Sequence, residues 1–393
     1  MTRRLVRENS IFESLRVAGY SIEDLLPAFP GDGVAEVTMR MSDSRWCYAR
    51  TVERFGYLGT RECQSRYFNV TADGHRRSPS AEAVNWQAHE VTACFGGSTT
   101  LGPNVGDLET WPHLLERRLI QANPSARVVN WGAGNHTVMH ASLALLHRCL
   151  LGQVPRTAVF CLGQNDCTYS FENPDAILNF LDTAVMLSQH VPGRETPIGE
   201  IHRLIPERTP AYWNARKNLW TADSTDIGIR RGGVARNFAV ASAIQEICSE
   251  FWGVRLFRFW EPSQFLSTEL HGHLVPRIVA IPDSNKFAGK LYRDIVGRGV
   301  QSVLGSSDWI DLSDCCQNEL GEWLFLDEAG HSTPAMNRHL AEVIGRHLAA
   351  GTSSRMMRNK LRLRGRRQRL PEGVSSGTSS DSARADSDLY PMW

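Results

Sequence analysis

The chain has 393 residues, is 42% hydrophobic and 22% charged, and has a net charge of +1, a composition that suits a soluble globular protein with a sizeable core. No apolar run approaches the ~20 residues of a membrane span. The N-terminal MTRRLVRENSIFESLRVAGY also lacks a signal peptide's apolar core and cleavage site, so a cytoplasmic location is expected. Nine cysteines make an odd count without a C-x-x-C pair, and Cys94 and Cys161 lie inside apolar runs, so core thiols are expected rather than a disulfide framework or zinc site.

Residues 1–90 read as an N-terminal extension of turn-rich, partly β character. Five short apolar runs then read as buried parallel strands, each closed by Gly, Asn, Asp or Pro: 91–97, 126–132, 156–163, 254–262 and 308–314. Helical stretches lie between and after them: TWPHLLERRLIQA, SLALLHRCLL, residues 174–190, GVARNFAVASAIQEICSEFW and PAMNRHLAEVIGRHLAA. Strands alternating with helices predict an α/β fold over 91–350, a three-layer sandwich with about five parallel strands and reactive groups at their carboxyl ends. Residues 191–232 and 263–307 read as long insertions that would form a lid or substrate wall. From 351 to 393 the chain reads as a disordered tail, basic and then rich in Ser and Asp. Its eight cations between Arg355 and Arg369 offer a contact for an anionic surface.

Four segments carry chemistry. In FGGSTTLG, residues 95–102, Ser98 follows a strand end and is preceded by glycines, which presents its hydroxyl at the top of the sheet and its N–H toward a developing oxyanion. NWGAGNHT, residues 130–137, and GQND, residues 163–166, place glycines and amide side chains at the next two strand ends. A backbone N–H from the first and the Asn165 amide from the second would complete a three-donor oxyanion hole. In FLDEAGHSTPAMN, residues 325–337, an acid three or four residues before His331 can accept the imidazole Nδ1–H, so that Nε2 takes a serine proton. A P-loop is excluded because no Lys is present in FGGSTTLG, and a nucleophile elbow because Thr100 stands where it needs Gly. No carboxylate cluster accompanies His136, His140 and His147, so they read as solvent-facing or core residues rather than ligands.

Together and in this order the segments resemble the four signature blocks of the SGNH, or GDSL-like, hydrolases, over about residues 69–350. The resemblance implies a flavodoxin-like SGNH fold and a serine esterase that hydrolyses acyl, above all acetyl or short-chain, esters of small molecules or carbohydrates. No metal or cofactor is implied. Residue by residue it makes Ser98 the nucleophile, His331 the base, and Ser98, Gly134 and Asn165 the oxyanion hole, with Gly132 or Asn135 as alternatives to Gly134. Gly97 departs from the family's Asp, and the usual Asp-x-x-His spacing selects Glu328, whereas the F-x-D context selects Asp327, the preferred partner of His331. An O-acyltransferase using the same residues, or an inactive binding protein of the same fold, are the alternatives.

Overall fold

The computed structural model describes residues 21–43, 50–52, 58–78, 84–169, 226–266, 283–316, 323–326 and 330–367. Two compact units are present, Met1–Arg346 and His347–Trp393. The first is built on a five-stranded parallel sheet.

In the N-terminal segment, helix α1 (Val34–Asp43) precedes an antiparallel pair, β1 (Arg50–Val52) and β2 (Leu58–Thr60). The sheet comprises β3 (Glu90–Gly96), β4 (Ala126–Asn130), β5 (Thr157–Leu162), β6 (Arg255–Trp260) and β7 (Trp309–Asp311), in the spatial order β4-β3-β5-β6-β7. Every neighbouring pair in it is parallel. Counted from the first sheet strand, the order is 2-1-3-4-5, the flavodoxin-like arrangement, in which the chain reverses direction across the sheet between the first and third strands. β5 is buried along its whole length and β3 along all but its first residue, which is why they read as continuous apolar runs.

The helices are α2 (Ser98–Leu101), α3 (Trp111–Ala122), α4 (Val138–Leu150), α5 (Gln164–Tyr169), α6 (Ile227–Trp252), α7 (Asp283–Gly297), α8 (Val300–Leu304) and α9 (Pro334–Arg367). Val91, Ala93 and Phe95 of β3 enter a core with α4, α6, α7 and α8. The alternate residue Cys94 looks the other way, toward Glu116 of α3, so helices cover both faces. Glu116 also accepts the Val128 N–H at 2.8 Å, satisfying a donor on the edge strand β4. Among the described residues no helix is long and apolar enough to cross a membrane.

Two expectations need correction. The insertion expected over 263–307 contains the helices α7 and α8, and its helical signal is visible in hindsight: Ala288, Leu291, Tyr292 and Ile295 are buried at three- and four-residue spacing. The tail expected to be irregular from 351 continues α9 as far as Arg367. Arg, Lys, Met and Leu, which dominate that stretch, are among the stronger helix formers. Residues 174–190, most of the 191–232 insertion and 368–393 lie outside the described residues.

The N-terminal segment is stitched to the sheet. Val70 bridges both Cys63 and Arg76, and Arg76 in turn bridges Asn130 at the edge of β4, donating its N–H to the Asn130 carbonyl at 2.9 Å. The Arg76 side chain is 1% exposed. Its Nε donates to Asp107 at 2.6 Å, Nη1 to the Leu101 and Gly102 carbonyls, and Nη2 to the Tyr67 and Val105 carbonyls at 2.8 and 2.7 Å. All five guanidinium N–H groups are thereby matched by acceptors, two of them at the end of α2.

Candidate active site

The site lies where β3 and β5 end, at the reversal point of the strand order, where open α/β sheets bind ligands. Gly97 is extended (φ −79°, ψ −156°), and α2 starts at Ser98, which is half-buried. The Leu101 N–H returns to the Gly97 carbonyl at 3.0 Å and the Gly102 N–H to the Ser98 carbonyl at 2.8 Å. At the first helical position, the Ser98 N–H has no acceptor within its own helix.

The turn after β4 lies directly against this helix. Asn130, 5% exposed, donates its amide to the Thr100 carbonyl at 2.8 Å and accepts the Gly132 N–H at 2.9 Å. The Ala133 N–H donates to the Gly96 carbonyl at 3.1 Å. The N–H groups of Gly132 and Ala133 are therefore committed to holding the turn on β3 and α2. Gly134 follows, buried, and Asn135 adopts the left-handed conformation (φ 61°). A non-glycine residue there is uncommon and costs of order 1 kcal/mol, and such strain concentrates at functional sites.

Asn165 lies in the first turn of α5. Its Nδ2 donates to the His136 carbonyl at 3.0 Å, which ties the ends of β4 and β5 together. The same nitrogen stands 2.6 Å from where a Cβ on residue 97 would be. A Cβ at position 97 would therefore press on the end of the Asn165 side chain as it is placed here. The next residue, Asp166, is buried and accepts the Val138 N–H at 3.0 Å, capping α4. Burial holds its carboxyl well above the usual carboxylate range, with the Glu261 carboxylate adding to the effect.

His331, 5% exposed, is presented by a paired loop. The Leu326 N–H donates to the His331 carbonyl at 2.8 Å, Phe325 bridges Ser332, and the Thr333 N–H donates to the Leu324 carbonyl at 3.1 Å. Gly330 is left-handed (φ 75°), and a Cβ there would stand 2.4 Å from Gln264 Oε1 and 2.5 Å from Gln164 Oε1. The loop bearing His331 therefore packs on the residue next to Asn165. Asp327 and Glu328, the two candidate partners of His331, lie outside the described residues.

The structure thus brings the segments of Ser98, Gly134, Asn165 and His331 into one contiguous cluster. It also adds a residue that the sequence reading passed over. Glu261, at the end of β6 and 2% exposed, accepts the Thr99 hydroxyl at 2.6 Å and the Gln164 N–H at 2.8 Å. The only sequence signal was a charge ending the apolar run RLFRFWEP at the level where the other strands deliver their polar residues. The histidines after β4 are buried: His136, His140 and His147 are 2%, 1% and 5% exposed, and the first two rings stack at 5.3 Å. Cys63, Cys94, Cys149, Cys161, Cys167, Cys248 and Cys315 are free thiols.

No protein-family model matches the chain, and no curated protein does. Solved structures do match. A lipase/acylhydrolase from Enterococcus faecalis is 17% identical, with 66% of this chain and 95% of that one covered and a TM-score of 0.34. Est24, a carbohydrate acetylesterase from Sinorhizobium meliloti, is 12% identical, with 66% and 99% covered and a TM-score of 0.35. A member of the lipolytic protein G-D-S-L family from Veillonella parvula is 12% identical, with 64% and 94% covered and a TM-score of 0.34. The solved structures to which this chain is similar include GDSL-type lipolytic and acyl-ester hydrolases, and its fold is defined independently by the strand order and crossovers described above.

Proposed function

We propose that the chain is a serine esterase of the SGNH type, acting on acetyl or short-chain acyl esters of small molecules or carbohydrates. The observation that supports this reading is the approach of the Asn165 amide nitrogen to the backbone of Gly97, the residue before Ser98, where an amide can act as an oxyanion donor. An amide nitrogen has two N–H groups. The bond to the His136 carbonyl orients the amide with one of them, and the other serves the oxyanion. The third donor is the N–H of Gly134, with Asn135 as the alternative, since the Gly132 N–H is committed to Asn130.

In the first step Ser98 Oγ attacks the ester carbonyl while His331 Nε2 takes its proton. The tetrahedral oxyanion sits among the Ser98 N–H, the Gly134 N–H and the Asn165 amide. His331 then returns the proton to the departing alkoxide, leaving Ser98 acylated. Water, deprotonated by His331, releases the acid and restores the serine. The same residues would serve an acyltransferase if a second alcohol replaced water. Acid release from p-nitrophenyl acetate and from acetylated sugars, with and without added hydroxyl acceptors, separates the two. Hydrolysis indifferent to acceptors supports the esterase, and acyl transfer that outruns acid release contradicts it.

Gly97→Ala is a further test. Its methyl group would displace the end of a side chain rather than backbone, so the protein is expected to fold while Asn165 is pushed aside. The loss in kcat should approach the roughly 10²–10³ associated with losing one oxyanion donor. Asn165→Ala should match it, and the double variant should be no worse than either alone. Additive losses would show that residue 97 acts by another route.

A further inference from the structure

One buried carboxyl joins the two loops on which the proposed chemistry depends. Thr99 immediately follows Ser98, and Gln164 immediately precedes Asn165. Glu261 accepts from the first through Oε2 and from the second through Oε1, at 2.6 and 2.8 Å. Its own backbone is fixed in turn: its N–H donates to the Leu162 carbonyl at 3.0 Å, and the Tyr292 hydroxyl donates to its carbonyl. We propose that Glu261 is a positioning residue, whose carboxylate holds the nucleophile loop and the oxyanion amide at one fixed separation. This inference rests on the esterase reading.

A carboxyl that is 2% exposed is a poor way to fill space, because an apolar side chain of similar size avoids its desolvation. Both partners are donors, so the ionised form, which only accepts, satisfies both at once. The consequence is a dependence on pH. Burial pushes the Glu261 carboxyl up to about 7, while the Thr99 hydroxyl and the Gln164 N–H act to lower it. The titratable groups facing it are Asp166 and the Cys167 thiol on α5 and the Cys161 thiol on β5, with the Tyr292 hydroxyl of α7 on its backbone. Below pH 7 the carboxyl gains a proton, and one of its two oxygens ceases to be a charged acceptor.

The test is the kinetics of p-nitrophenyl acetate hydrolysis between about pH 5.5 and 9 for the wild type, Glu261→Gln, Glu261→Leu, Thr99→Val and Ser98→Ala. Glu261→Leu is expected to lose roughly 10²-fold in kcat with KM changed by less than about threefold, since the alignment matters when the oxyanion forms. Glutamine can accept the Gln164 N–H and donate to Thr99, so Glu261→Gln should recover most of the loss. Its remaining deficit should be roughly fivefold above pH 8 and vanish below pH 6, because only the ionised carboxylate makes the stronger, charge-assisted bonds. Thr99→Val removes one hydroxyl at nearly constant shape and should lose about tenfold in kcat, so it carries the test if Glu261→Leu does not fold. A folded Glu261→Leu with wild-type kcat, a loss confined to KM, or a glutamine variant no better than leucine at every pH overturns the role of Glu261 alone. Turnover that survives Ser98→Ala overturns the esterase reading as well.

Discussion

Asp327→Asn is expected to lower kcat on an ester by about 10⁴, the scale measured when an asparagine in a serine protease triad selects the wrong imidazole tautomer. Pairing of Leu326 with His331 through the 2.8 Å bond brackets the segment 327–330, and Gly330 turns the chain with its positive φ. In the proposed mechanism the imidazole needs a fixed partner for Nδ1, so that Nε2 is presented to Ser98 in the right tautomer. Asp327 directly follows the paired residue Leu326, and its short side chain has few rotamers to lose, which favours it over Glu328. Glu328→Gln should therefore stay within about tenfold of wild type across the pH range. A near-normal Asp327→Asn beside an inactive Glu328→Gln would reverse the assignment.

Arg76→Ala should destabilise the protein by roughly 3–5 kcal/mol, the scale for removing one partner of a buried ion pair. The guanidinium is 1% exposed, and its removal takes a donor from each of the carbonyls of Tyr67, Leu101, Gly102 and Val105 and leaves the Asp107 carboxylate, among the described residues, with only its Asn69 donors. Phe68 would also lose the guanidinium that lies 4.1 Å from its ring centroid. Lysine cannot restore this arrangement: it has three donors on one point, against five in a planar fork. Arg76→Lys should thus remain well below the wild type in a urea melt. Because two of the carbonyls end the helix that begins at Ser98, activity should fall before global unfolding. A urea midpoint for Arg76→Ala equal to that of the wild type would show that the N-terminal segment is not part of the scaffold.

Much of the fold was legible because parallel strands covered on both faces must be apolar throughout, and the five runs ended within a few residues of where β3 to β7 end. The polar residues at those ends were legible for the same reason, as interruptions of an apolar pattern. Helix α7 lies inside the stretch 263–307 that reads as an insertion, and its glycines Gly289 and Gly297 weaken the helical pattern. Gly289 makes room for the Phe265 ring, which would stand 2.9 Å from a Cβ there. Long-range ties leave no local trace. Glu261 meets Thr99 across 162 positions and Gln164 across 97, and Arg76 meets Asp107 across 31. A single charge beside a strand or in a turn has no periodicity that would announce such partners.

The central claim is that Ser98 is an activated nucleophile, and its most direct test is the site of covalent capture by a fluorophosphonate probe. Fluorophosphonates react with a serine whose hydroxyl is deprotonated by a neighbouring base and whose oxyanion is stabilised, so the adduct reports the chemistry without knowledge of the natural ester. Mass mapping of the treated protein is expected to place one phosphonyl group on Ser98, with capture abolished in Ser98→Ala and strongly slowed in a His331 variant. An adduct on another residue, or capture undiminished in a folded Ser98→Ala protein, would contradict it.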